Sequence, residues 1–313
     1  MKIILTGTTG KLGSRVLAHI QALLRDTTHS LIISVYNPDK GPELADRTAY
    51  EIRRGNFSQP ASLDSAFKGG DILLLISYPS IANELRVKNH KNAIDAAIRQ
   101  GVKHIFYTSL AFAGPPSSSS SSAAVMQAHL STEAYLRSTL AKTEIKYTII
   151  REGLYTESWP LYLGFVDPKA GEREAIVPES GGRGIAWAKR DELGEATARL
   201  IVDAANAPSG FAYADKTILL TGPRALSLED TARIISKHLT HPFVVRTVSV
   251  EEFVRPGGKM HEKLGEEWAG MWATTYGAIA EGETDVVDET LEKILGRKPE
   301  SVERTLETEF ASA

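Results

Sequence analysis

The chain has 313 residues, of which 42% are hydrophobic and 24% charged, and its formal net charge is −3. This balance is typical of a globular protein with one large or two coupled domains, and it lacks the positive charge of a nucleic-acid-binding protein. The sequence contains no cysteine, which excludes disulfides, thiol redox chemistry and cysteine-ligated metals.

The first fifteen residues predict a strand, a tight turn and a helix. An apolar run from Ile3 to Leu5 precedes glycines at 7, 10 and 13, and helical periodicity follows. Gly7 allows a sharp turn, Gly10 allows the backbone to approach a pyrophosphate, and Gly13 allows the helix to pack on the strand. The N–H groups and dipole at the helix N-terminus favour phosphate. The turn therefore predicts a dinucleotide site. The alternative is an empty structural turn, and a kinase-type phosphate loop is excluded because G-x-x-x-x-G-K-[ST] does not occur.

The second predicted strand, Leu31 to Val35, ends at Tyr36 and Asn37. In a Rossmann fold an acidic residue at this corner binds the adenosine ribose and repels a 2′-phosphate. No acid is present at either position, which favours NADP(H) over NAD(H). No arginine is present there either.

The elements that follow alternate between strand and helix. The predicted strands are 50–53, 71–76, 102–108 and 146–150, and the predicted helices are 60–67 with Ser58 as its N-cap, 82–100 and 123–141. This order predicts an α/β fold, a Rossmann-type doubly wound parallel sheet. Ser77 and Tyr78 follow the second of these strands, 71–76, at the carboxyl end of the sheet where ligands bind.

Residues 1–152 are predicted to form an NAD(P)-binding Rossmann domain, and residues 153–313 a smaller, mostly helical substrate-binding domain. The helix near 190–206 and the strand near 216–220 are expected to return to the first domain. Six serines, 117–122, predict a mobile loop over the site.

No apolar run approaches about 18 residues, so no membrane span is expected. The first strand starts at Lys2 and leaves no room for a signal peptide, so a cytoplasmic protein is expected. The sequence leaves the oligomeric state open.

The whole chain resembles the NmrA-like branch of the atypical short-chain dehydrogenases, and within it the NAD(P)H:quinone oxidoreductases. The stretches that carry this resemblance are Thr6-Gly7-x-x-Gly10-x-Leu12-Gly13, Leu73-Leu74-Leu75-Ile76-Ser77, Gly101-Val102-Lys103-x-Ile105-x-Tyr107-Thr108-Ser109-Leu110, His129-x-x-Thr132-Glu133, and Tyr147-Thr148-x-x-Arg151-x-Gly153-x-Tyr155. Close relatives carry arginine where Tyr36 stands, and many NmrA-like proteins carry lysine where Thr132 stands.

The resemblance implies a set of dinucleotide contacts, with the loop around Tyr155 expected to wall the nicotinamide end. The implied contacts are Thr6, Gly7, Thr8, Thr9, Gly10, Lys11, Leu12, Gly13, Tyr36, Asn37, Ile76, Ser77, Thr108 and Ser109.

The spacing of the catalytic pair of typical short-chain dehydrogenases, Tyr-x-x-x-Lys, occurs only at Tyr36 and Lys40, at the predicted ribose corner, and neither Tyr135 nor Tyr147 has a lysine four residues later. In that pair the lysine lowers the pKa of the phenol, which then protonates a carbonyl oxygen. A quinone needs less help, since its ring stabilises the oxyanion, and a positioned hydrogen-bond donor is enough. The candidate donors are Tyr155, His129 and Tyr78. For each of them the alternative is a structural role.

We therefore predict an NAD(P)H-dependent oxidoreductase that acts on a small, aromatic or quinone-like substrate, with no nucleic-acid or membrane partner. No metal site is expected, because His238 and His241 lack further ligands. Two alternatives stay open. One is a regulator that binds NAD(P) and senses redox state without turnover, and the other is a reductase of a specialised-metabolism intermediate.

Overall fold

The structure is a computed structural model, and it describes residues 1–40 and 50–311. Two compact units divide the chain. The first comprises Met1–Ser109, Ala128–Glu152 and Arg190–Ile218, and the second comprises Leu110–Gln127, Gly153–Lys189 and Leu219–Ala313.

The strands and helices of the described residues are numbered in chain order. The strands are β1 (Lys2–Thr6), β2 (Ser30–Val35), β3 (Tyr50–Arg54), β4 (Ile72–Leu75), β5 (His104–Leu110), β6 (Lys146–Glu152), β7 (Glu174–Pro178), β8 (Gly184–Ile185), β9 (Lys216–Leu220), β10 (Leu226–Ser227) and β11 (Val244–Val248). The helices are α1 (Lys11–Leu24), α2 (Pro60–Phe67), α3 (Asn83–Arg99), α4 (Ala124–Leu140), α5 (Trp159–Tyr162), α6 (Arg190–Asn206), α7 (Leu228–Ser236), α8 (Val250–Phe253), α9 (Lys259–Leu264), α10 (Glu266–Ala280), α11 (Thr290–Leu295) and α12 (Val302–Ala311).

A seven-stranded sheet in the order β3-β2-β1-β4-β5-β6-β9 forms the centre of the first unit. The pairings from β3 to β5 are parallel, with Ile4 opposite Ile32 on one side and Leu73 on the other. The chain crosses from β3 to β4 past β1, so the strand order reverses beside β1. The predicted doubly wound parallel sheet is confirmed, and this reversal is where such sheets bind nucleotides.

The apolar runs of the sequence form the central strands because both faces of the sheet are covered. Every residue of β4 is buried, as are Ile3, Ile4 and Leu5 of β1. Helix α1 packs on α6, and α2 packs on α3. The carboxyl ends of β1, β4 and β5 are thereby held on a rigid support.

The second unit contains two small pairs of strands and several helices. Strands β7 and β11 pair in parallel, and β8 and β10 are antiparallel. Its core holds an aromatic cluster in which the ring of Tyr162 lies 5.3 Å from that of Trp187 and 5.4 Å from that of Trp272. Among the residues that the structure describes, no helix is long and apolar enough to cross a membrane.

Two local predictions need correction. Ser58 is not the cap of α2, which begins after Gln59 without a side-chain cap. Nor is the serine-rich segment free at its C-terminal end, since the Glu283 carboxylate accepts from the Ser121 hydroxyl and, at 2.8 Å, from the Ser122 N–H. A glutamate 161 residues beyond Ser122 cannot be paired with these serines from local sequence.

Candidate active site

The turn between β1 and α1 has the geometry that its glycines predict. Gly7 has φ +66°, and a Cβ placed there would lie 2.9 Å from the Cβ of Ile76. A Cβ on Gly13 would lie 2.1 Å from the Gly7 carbonyl oxygen. The Gly10 N–H donates to that same oxygen at 3.0 Å, which closes the turn. The turn is therefore tight because side chains are excluded from it.

The N-terminus of α1 offers donors that the protein itself does not use. Gly10 is the N-cap, no side chain caps the helix, and its first turn contains no acidic residue. The first N–H groups of a helix have no intrahelical partner. Beside them the Thr8 hydroxyl is buried without a hydrogen-bond partner among the described residues. These groups fit a diphosphate, which accepts several hydrogen bonds and is favoured by the helix dipole.

The corner after β2 presents an exposed aromatic ring and a nearby cation. Tyr36 is 69% exposed. The Asn37 side chain accepts from the Asp39 N–H at 3.0 Å and so shapes its own turn. Arg54 pairs with Val35 at the end of β3, and its side chain is exposed. Sequence analysis missed Arg54, because only the strand register shows that it ends beside Tyr36.

The chain that leaves β4 is fixed by three side chains. The N–H groups of Ile76, Ser77 and Tyr78 donate to Thr6 Oγ1 at 3.0 Å, to Thr108 Oγ1 at 3.1 Å and to His90 Nε2 at 2.8 Å. Thr6, Thr108 and His90 belong to β1, β5 and α3, so three elements meet at this turn. Thr6 and Thr108, predicted as cofactor contacts, thus have defined bonds to the protein.

Behind this turn lies a buried network that joins α3 to α4. The Arg86 guanidinium donates through Nη2 to Ser77 Oγ and to His129 Nε2, each at 2.7 Å. The Tyr107 hydroxyl lies 3.0 Å from His129 Nδ1. Burial, with the charge of Arg86 nearby, holds the pKa of His129 well below its usual value. His129 is therefore neutral, and both of its ring nitrogens are engaged by the protein.

Ser109 belongs to a second buried cluster. Its hydroxyl donates to Glu133 Oε1 at 2.7 Å, and Arg151 donates to both oxygens of the same carboxylate at 3.0 and 2.9 Å. Arg151 and Glu133 are fully buried. Ser109, a predicted nucleotide contact, therefore donates its hydroxyl proton to Glu133, and it can only accept a hydrogen bond from a nucleotide.

Glu152, the last residue of β6, is a buried carboxyl group with an incomplete set of partners. Its Oε1 accepts from the Thr197 hydroxyl at 2.9 Å, whereas Oε2 has no hydrogen-bond partner among the described residues. Burial raises the pKa of Glu152 to about 8. The group is therefore mainly protonated at neutral pH. Sequence analysis did not single it out.

The aromatic residues of the second unit differ in exposure. Tyr155 is partly exposed, and its backbone forms a parallel bridge with Ala188. Trp159 and Trp187 are only 3% and 1% exposed, and Trp187 Nε1 donates to Thr231 Oγ1 at 3.2 Å. Both tryptophans therefore serve the core. Within residues 1–40 and 50–311, no group of three acidic or histidine side chains is placed to hold a metal.

Comparisons with known proteins agree with this geometry. Residues 7–172 match the family model described as NAD(P)H-binding. An NmrA-like family domain-containing oxidoreductase, flvB, of Aspergillus flavus is 30% identical over 96% of this chain and 92% of its own length. The chain belongs to the NmrA-like NAD(P)H-binding oxidoreductases.

Two further members of the group have solved structures. Quinone oxidoreductase 2 of Escherichia coli is 30% identical over 94% of this chain and 93% of its own. Its NADPH complex superposes with a TM-score of 0.77 over 98% of this chain and 99% of that one. A triphenylmethane reductase of Citrobacter sp., complexed with NADP(H), is 30% identical with a TM-score of 0.78 over the same shares. The resemblance seen in the sequence motifs is thereby confirmed.

Proposed function

We propose that the protein reduces a quinone, or a related conjugated carbonyl compound, by hydride transfer from NADPH. The bound reduced nicotinamide supplies the hydride. The observation that carries the proposal is the nucleotide-binding turn between β1 and α1, in a chain whose only Tyr-x-x-x-Lys spacing, at Tyr36, lies at the ribose corner. Tyr107, in the middle of β5, does not replace the missing pair, because it is fully buried and its ring neighbours are His90 and His129 rather than a lysine.

A simple ketone needs a strong proton donor at its oxygen. A typical short-chain dehydrogenase supplies one by lowering the pKa of a phenol with a lysine, because the alkoxide that forms must be protonated. A quinone delocalises the negative charge itself, so positioned hydrogen-bond donors are sufficient. The lack of a phenol–lysine pair outside the ribose corner therefore favours an acceptor that carries its own electron sink. The names of the two solved relatives, a quinone oxidoreductase and a dye reductase, point the same way.

The residues take distinct roles in this proposal. The glycine turn and the N-terminus of α1 bind the diphosphate, and the Thr8 hydroxyl completes that set. Tyr78, partly exposed where the chain leaves β4, donates a hydrogen bond to the substrate oxygen. Tyr155, also partly exposed, is the candidate donor of the second unit. His129 does not contact the substrate in this proposal, because its two ring nitrogens are hydrogen-bonded to Arg86 and Tyr107. Its role is to hold these two side chains in place.

The preference for NADP(H) over NAD(H) rests on charge at the ribose corner. Tyr36 and Asn37 offer no carboxylate to repel a 2′-phosphate. The exposed guanidinium of Arg54 ends the neighbouring strand and is suited to bind that phosphate. We expect Arg54→Ala to weaken NADPH binding about tenfold and to leave NADH binding unchanged. Titration of both nucleotides by fluorescence measures the ratio, and an unchanged ratio contradicts the role of Arg54.

The proposed reaction is tested by following NADPH and NADH oxidation with a panel of benzoquinones and naphthoquinones. We expect turnover with NADPH and at least one quinone. Tight binding of both nucleotides without turnover on any acceptor would favour the redox-sensing alternative. Turnover only with another class of conjugated carbonyl compound would favour a specialised-metabolism reductase.

A further inference from the structure

The turn that leaves β4 is held in an unusual way, because each of its three consecutive N–H groups is taken by a side chain. Most backbone N–H groups donate to backbone carbonyl groups, so these three N–H groups lie outside the regular hydrogen bonding of the sheet. Its shape depends on Thr6, Thr108 and His90 instead. The bond to His90 is the shortest of the three, at 2.8 Å, and its acceptor is the ring of an otherwise titratable residue.

The hydrogen bonds define which nitrogen of His90 carries the proton. The Tyr78 N–H can only donate, so Nε2 must be the unprotonated nitrogen. The proton is then on Nδ1, which lies 2.8 Å from Thr132 Oγ1. Thr132 accepts it, because its own hydroxyl donates to the Ala128 carbonyl at 2.7 Å. Burial, with the charge of Arg86 nearby, lowers the pKa of His90 to about 3, so this neutral form persists at neutral pH.

The same reasoning applies to the histidine beside it. Arg86 can only donate, so His129 Nε2 accepts and His129 Nδ1 donates to the Tyr107 hydroxyl. Arg86 also donates to Ser77 Oγ, so the guanidinium holds the turn by a side chain while His90 holds it by the backbone. The two bonds from α3 act on adjacent residues of the turn.

We propose that His90 is a positioning residue of the hydride-transfer site, which fixes the turn Ile76–Tyr78 through an imidazole that is protonated on Nδ1 and accepts through Nε2. The inference rests on the proposed function, since the turn lies at the sheet edge where the coenzyme and acceptor are bound. His90 does not touch substrate. It sets where the Tyr78 hydroxyl and the Ser77 backbone are presented, and small displacements of such groups cost up to about 100-fold in rate.

The experiment compares three variants with the wild-type protein. His90→Leu removes the acceptor, and His90→Gln keeps an acceptor oxygen at a similar reach. His104→Leu is the matched control, because His104 is also a buried histidine, with a pKa lowered to about 4. It begins β5 and therefore lies at the amino end of the strand, away from the carboxyl ends where ligands bind. Steady-state kinetics with NADPH and a quinone gives kcat and KM, and long-range ¹H–¹⁵N NMR of the wild-type protein reports the tautomer of His90.

We expect His90→Leu to lower kcat about tenfold to 100-fold with a smaller change in KM, His90→Gln to recover most of that loss, and His104→Leu to stay within about twofold of wild type. Equal losses in both leucine variants, or no rescue by glutamine, would overturn the inference. Should His90→Leu not fold, the kinetics of His90→Gln and the NMR decide. A proton on Nε2, or titration of His90 near neutral pH, contradicts the positioning role.

A wild-type protein with no turnover on any quinone refutes the proposed function alone. The affinity for NADPH then tests the inference, with a weakening of about tenfold expected for His90→Leu and none for His104→Leu. The absence of that difference refutes the positioning role independently.

Discussion

Replacing Glu152 by glutamine is expected to stabilise the protein, and to do so increasingly as the pH rises. Glu152 has a pKa of about 8 in the folded chain and an ordinary value of 4.5. Its folded pKa is raised, so its contribution to stability is complete below pH 4.5 and is lost as the pH rises toward 8. Glutamine keeps the oxygen that accepts from Thr197 and removes the carboxylate that burial disfavours.

The size of the effect follows from linkage. One pKa unit corresponds to about 1.4 kcal/mol, so the penalty that Glu152 imposes is about 1 kcal/mol at pH 5.5 and about 4 kcal/mol at pH 7.5. Glu152→Gln should therefore gain about 3 kcal/mol more at the higher pH. That is a large share of the usual 5–15 kcal/mol of folding free energy. At pH 5.5 the buried neutral histidines already oppose folding, but they do so equally in both proteins, so their contribution cancels in the difference between variant and wild type.

The measurement is the free energy of unfolding from urea titrations of both proteins at the two pH values. Thr197→Val is the control, because it removes one hydrogen bond and leaves the carboxyl in place. Its cost, about 1 kcal/mol, should be similar at both pH values. A gain from Glu152→Gln that does not change with pH would refute the reasoning, since it would mean that Glu152 titrates alike in the folded and unfolded chains.

Three other perturbations test the remaining parts of the site. Gly10→Val should abolish nucleotide binding and leave the fold largely intact, since its Cβ would crowd the Gly7 carbonyl oxygen at 3.2 Å in the phosphate turn; an unchanged Kd with a normal circular dichroism spectrum contradicts that role. Tyr36→Arg should shift the affinity ratio toward NADPH about tenfold by a charge-assisted bond to the 2′-phosphate, as calorimetry with both nucleotides would show, and an unaltered ratio means that the side chain points elsewhere. Glu133→Gln should lower the free energy of unfolding in urea by about 3–5 kcal/mol, because the buried guanidinium of Arg151 loses its carboxylate. Arg137→Gln, at the partly exposed end of the same cluster, should lower it by about 1 kcal/mol or less. Equal losses would show that burial does not decide the energetics.

The fold was accessible from the sequence because its signals are local. The apolar runs at β1 and β4 are buried strands, and the spacing of Gly7, Gly10 and Gly13 is set by steric exclusion within a single turn. Such features depend on a few neighbouring residues, so periodicity and glycine placement are enough to predict them.

The inner part of the site was not accessible in this way. His90 and Arg86 lie on α3 with other polar residues, and nothing in their spacing distinguishes a buried network from a solvated face. Their partners, Thr132 and His129, are 42 and 43 residues further along the chain. Glu152 was missed for the same reason, because its raised pKa comes from packing and not from its neighbours in sequence. Tertiary burial, rather than composition, decides which of these groups are neutral.

The three-point attachment of the turn Ile76–Tyr78 separates its backbone from its side chains. The turn is held through its backbone N–H groups, which every residue except proline possesses. The side chains that accept from them belong to three other stretches of the chain. The identity of residue 78 is thus open to exchange at constant backbone geometry. In the proposed function Tyr78 contacts the acceptor, so substitution of residue 78 is expected to alter acceptor preference without moving the backbone of the turn.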